Sequence, residues 1–153
     1  MTSDENFIPT AIAVTANGSF EEAVSAEHAN TIFSEMIRNT ALDCVKAGSQ
    51  MIGHIKANVR SGPELLSMSS TTDDGNVRMR SVFTGKVKDH SMTVNVIVYG
   101  VDRHTVADIS VRNIKKAVGN ISITVHSEIG CEDPECTDPM CQDAGHRRII
   151  RIG

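Results

Sequence analysis

Aromatic side chains are scarce: Trp is absent, Tyr occurs once and Phe four times in 153 residues. A broad stacking platform for bases is therefore missing, which argues against a single-stranded nucleic-acid binder. Long apolar runs are missing as well, and no stretch of about 18 apolar residues is present to span a bilayer. The opening residues Met1, Thr2, Ser3, Asp4 and Glu5 are acidic and lead into no apolar stretch. No secretory signal is expected, and the expected compartment is the cytoplasm. Glycine-rich phosphate loops, a GxSxG elbow and an HExxH pair are also absent. Nothing supplies a complete set of nucleophile, base and orienting group, so the residues alone leave open whether the chain is an enzyme.

The composition that remains is that of a globular protein, with 40% hydrophobic and 22% charged residues and a formal charge of -4. Its length suits a single domain with its own core. We expect one domain over 1–153, with a helix-backed sheet over 10–127 and a cysteine-rich segment plus a terminal strand over 128–153.

Periodicity organises the chain. Ala11 to Ala16 reads as a short strand, with Asn17-Gly18 as its end. Ser19, with Glu22 three residues on, reads as a capping box. The spacing of Val24, Ile32, Phe33, Met36, Ile37, Ala41 and Cys44 then predicts a helix that stops before Gly48. Alternation takes over at Met51, with Gly53 a candidate bulge. Leu65 to Ser70 forms a further strand, Asp73-Asp74-Gly75-Asn76 a hairpin turn, and Val77 to Val87 and Met92 to Val98 the strands that follow. His90 falls in the turn between them. Asp102 or Thr105 caps a second helix reaching about Val118, Ile121 to Val125 alternates again, and Ile149, Ile150 and Ile152 suit a short edge strand. The fold class that results is α+β: a two-layer sandwich, with a mostly antiparallel sheet and two helices packed on one face.

Charge is unevenly spread. Residues 1–49 hold seven acids and two bases, 50–127 six acids and ten bases, and 128–153 six acids and three bases. In the basic middle, His54, Lys56, Asn58 and Arg60 share one strand face, and Arg78, Arg80, Lys86 and Lys88 share another. Lys56, Asn58, Arg60, Arg78 and Arg80 are a candidate anion site, with His54 and Lys56 as candidate general acids. The plainer reading is a solvated sheet face. Ile52, Val82, Ile97 and Tyr99 fall on the supposed wet side and favour a homo-oligomer.

Three of the four cysteines crowd into the C-terminal segment. Cys131, Cys136, Cys141 and His146 recur at five-residue intervals, with Pro and Asp between them that favour turns. Three thiolates and an imidazole are a donor set for tetrahedral zinc. Iron or an iron–sulfur cluster is the alternative cofactor, although the spacing matches no ferredoxin pattern. A disulfide within the segment or to Cys44, and an acidic tail without a ligand, compete with a metal. His126 is a second candidate for the fourth position. Cys44, on the apolar stripe of the first helix, reads as core.

These features lead to an expected function: a cytosolic, oligomeric binding or assembly domain with a structural zinc. A small enzyme acting on an anionic substrate at the His54/Lys56/Arg60 face is the first alternative. A nucleic-acid-associated protein using that basic face is the second. Partners are expected to be further copies of the chain, an anionic small molecule or another protein.

Overall fold

The computed structural model describes residues 9–127 and 148–152. Strand β1 (Pro9–Val24) leads into helix α1 (Ala26–Lys46), followed by β2 (Met51–Ser61), β3 (Glu64–Ser70), β4 (Arg78–Ser81) and β5 (Val87–Tyr99). Helix α2 (Arg103–Ala117), β6 (Ile121–Ser127) and β7 (Arg148–Ile152) complete the described residues. Among these, seven strands form one sheet in the order β4-β3-β2-β5-β1-β6-β7. All of its pairings are antiparallel. Because β5 lies antiparallel between β1 and β2, those two run parallel, and β1, α1 and β2 make a split βαβ unit. The fold is the α+β sandwich that the pattern predicts.

Both helices pack on the same side, and one core lies beneath them. Phe33, Ile37, Ala41 and Cys44 of α1 and Val106, Ile109 and Ile114 of α2 meet Val14, Ile55, Val59, Leu66, Val94, Val96 and Ile123 of the sheet. A polar tie joins the helices: Asn113 Nδ2 donates to Asp43 Oδ2 at 3.0 Å, and Arg112 lies 3.7 Å from the same carboxylate.

Several local expectations are corrected. The helix starts at Ser25, whose hydroxyl accepts from the His28 amide at 3.1 Å. Ser19 and Glu22 belong to β1, which runs past Asn17-Gly18 instead of ending there. Tertiary pairing with Ser91, His90 and Asp89 overrides the local capping signal. Gly18 answers a different demand, since a Cβ there would stand 2.8 Å from the Asn120 carbonyl oxygen.

The predicted strand from Val77 to Val87 breaks after Ser81. Asn30 of α1 donates to the Phe83 carbonyl at 3.1 Å and accepts from its amide at 3.0 Å, and Phe83 drops into the core. Glu64 accepts from the Thr84 hydroxyl and from the amides of Thr84 and Gly85, contacts that hold its carboxyl below the usual carboxylate range. These clamps bend the chain, so Arg78, Arg80, Lys86 and Lys88 do not share one strand face; Lys88 lies on β5 and reaches the Glu21 carbonyl at 3.2 Å.

The bulge at Gly53 is present, with the β2–β5 register shifting between Ile52 and His54. A Cβ at Gly53 would stand 2.9 Å from the Ile97 carbonyl oxygen. The bulge turns Ile52 toward the helices, where it is buried, so Ile52 leaves the wet side. Ile97 and Tyr99 are half-buried, and Val82 is 46% exposed. His90 lies within β5 and is buried, not in a turn. No described helix is long and apolar enough to cross a membrane.

Candidate functional site

Among the described residues, no element covers the side of the sheet away from the helices, and the strand registers fix what it displays. One row runs Leu65–Arg60–Ser91–Asn17–Ser122 across β3, β2, β5, β1 and β6. The next runs Ser67–Asn58–Thr93–Thr15–Thr124. A third runs Ser69–Lys56–Asn95–Ala13–His126. None of these side chains is buried, whereas the residues between them, such as Val59, Met92, Ala16 and Ile123, are. Alternation along each strand thus separates a hydroxyl- and amide-rich surface from the core.

A groove of about 620 Å³ lies on this face, lined by Thr15, Asn17, Asn58, Arg60, Leu65, Ser91 and Thr93, with Ala16 and Met92 at its floor. At its margin Thr15 Oγ1 and His126 Nε2 stand 3.0 Å apart. His126 is therefore engaged with β1.

The candidate anion site is only partly gathered. Asn58 and Arg60 line the groove. Lys56 stands on the same face, four residues before Arg60, so about 13 Å separates their backbones along the strand. Arg78 pairs with Ser69 on the far side of β3, about 10 Å from β2. Arg80 falls where the β3–β4 register shifts. A single small anion cannot touch all four cations at such spacings. His54 is half-buried opposite Ile97, two rows beyond Asn58. Sequence reasoning missed Thr15, Asn17, Ser91 and Thr93 as companions of Arg60. Each lies on a strand distant in sequence, and only the β1–β5–β2 register brings them together.

No family model, curated protein or solved structure matches the chain.

The expected metal ligands Cys131, Cys136, Cys141 and His146 lie outside the described residues. Among the described residues, no three His, Cys, Asp or Glu side chains come together to hold a metal. Cys44 is a free thiol, wholly buried in the core. Burial, and then the neighbouring Asp43 carboxylate, push its pKa up to about 11, far from that of a nucleophile.

Proposed function

We propose that the chain is a cytoplasmic binding or assembly domain whose C-terminal segment is held by a zinc-class ion on Cys131, Cys136, Cys141 and His146. One observation carries the reading. β6 and β7 pair side by side, with Ser127 opposite Arg148. The chain therefore leaves and re-enters the sheet at one point, and every one of the four donors lies between. Closing that loop already restricts the segment, which lowers the entropic cost of gathering its donors around a cation. Four protein ligands leave no open position, so the ion is structural. It ties the outermost strand to the sheet and neutralises part of an acidic segment.

The domain acts as a homo-oligomer. Met79 on the edge strand β4, 37% exposed, and Val82 just after it, 46% exposed, are the apolar surface that a second copy covers.

The test is elemental analysis of the reduced chain, purified without added metal. About one zinc or iron per chain is expected. Cys136→Ser and His146→Ala should each lower the metal content and the thermal midpoint. Metal-free protein with an unchanged midpoint, or metal retained by Cys136→Ser at wild-type level, refutes the reading.

A further inference from the structure

The open face holds an imbalance that a merely wetted surface does not require. Acids outnumber bases in the chain, 19 to 15. Yet the three central rows contain Arg60 and Lys56 and not one Asp or Glu. A solvated face ordinarily intersperses both signs. Here the remaining positions are nearly all Ser, Thr and Asn, which donate and accept hydrogen bonds without adding charge. The described ion pairs join Arg112 to Asp43 and Asp108, on the helical side, and involve neither Arg60 nor Lys56. Arg60 is thus the one charged residue lining the groove, while Asp89 falls in the row beyond it, opposite Ser19, and Asn58, Thr93 and Thr15 extend from Arg60 as one polar strip.

We propose that this groove binds a small hydroxylated molecule, seating a terminal carboxylate or phosphate on the Arg60 guanidinium and its hydroxyls along Asn58, Thr93 and Thr15. The guanidinium fork suits either oxyanion. The volume of about 620 Å³ is in the range of small-molecule pockets. The groove lining holds one cation, Arg60, too few for a nucleic-acid backbone, whose binders neutralise about six to ten phosphates. The site uses no residue of the cysteine segment, so it stands or falls separately from the metal.

The test is an NMR titration of the full chain with three probes sharing one hydroxylated body: glycerol phosphate, glycerate and glycerol. Saturable shifts are expected at the amides of residues 15–17, 58–60 and 91–93 with at least one anionic probe, and none with glycerol. Which anion binds more tightly identifies the headgroup. Arg60→Gln should weaken binding roughly tenfold or more, the loss of one charge-assisted contact. Asn58→Asp, which places a carboxylate in the groove, should abolish it. Arg112→Gln, on the opposite side of the molecule, should leave binding unchanged. The proposal is overturned if neither anion shifts these amides, if glycerol shifts them equally, or if a folded Arg60→Gln or Asn58→Asp chain binds as the wild type does.

Discussion

Among the described residues, His90 is a polar side chain set in an apolar environment. It is 5% exposed, and neither ring nitrogen has a hydrogen-bond partner among the described residues. Its ring lies 5.1 Å from that of Phe20 and 5.3 Å from that of Phe33. Burial holds its pKa below the ordinary 6.5, and the adjacent Asp89 opposes that shift only in part. Protonation in the fold would place a cation among apolar rings, so the unfolded chain takes up its proton first. Stability should therefore be full above pH 6.5 and fall as the pH drops from there toward the depressed folded value. Each unit of separation between the two pKa values corresponds to about 1.4 kcal/mol. Urea midpoints of the wild type and His90→Phe, compared from about pH 8 down to pH 5, measure this. The wild type should lose more than the variant; parallel profiles would assign the acid sensitivity to other groups.

Helix α1 shows how an element's limits are chosen between competing signals. Two serines precede it with capping chemistry, but only Ser25 accepts an amide of the first turn. Ser25→Ala should lower stability by about 1 kcal/mol. Ser19→Ala, on a strand, should change it by less than about 0.5 kcal/mol. Chemical denaturation of the two variants separates these positions; equal losses would restore the capping box at Ser19. The error has an identifiable cause. A capping box is a local pattern, while Ser19 and Val24 are paired with Asp89 and Val87 of β5, some 60 to 70 positions away in sequence. β2 teaches the complementary lesson. Gly53 announces a bulge, but its consequence, the burial of Ile52, appears only once β5 is laid beside it.

The described sheet has one side covered by helices and one that no described element covers. The helices seal one side of the sheet, and the acid-free rows face out from the other. The edge strand β4 is four residues long and carries Arg78 and Arg80, features that discourage indiscriminate strand addition. In the proposed oligomer, association uses the apolar surface of Met79 and Val82 instead. Val82→Asp is expected to lower the mass found by light scattering without changing the circular dichroism of the subunit. A wild-type chain that runs as a monomer at all concentrations removes the oligomer.

The helix stripes, the alternating strands, Asp102 as one of two candidate caps for α2 and the two-layer arrangement were all legible in the linear chain. Each rests on a period or a cap set by residues close together in sequence, and burying an amphipathic face leaves few arrangements open. The five-residue spacing of Cys131, Cys136, Cys141 and His146 is likewise a property of the chain itself. The Arg60 groove, the environment of His90 and the break after Ser81 arise differently. Each depends on which strand lies beside which and in what register, and a strand shifted by one residue would exchange its two sides.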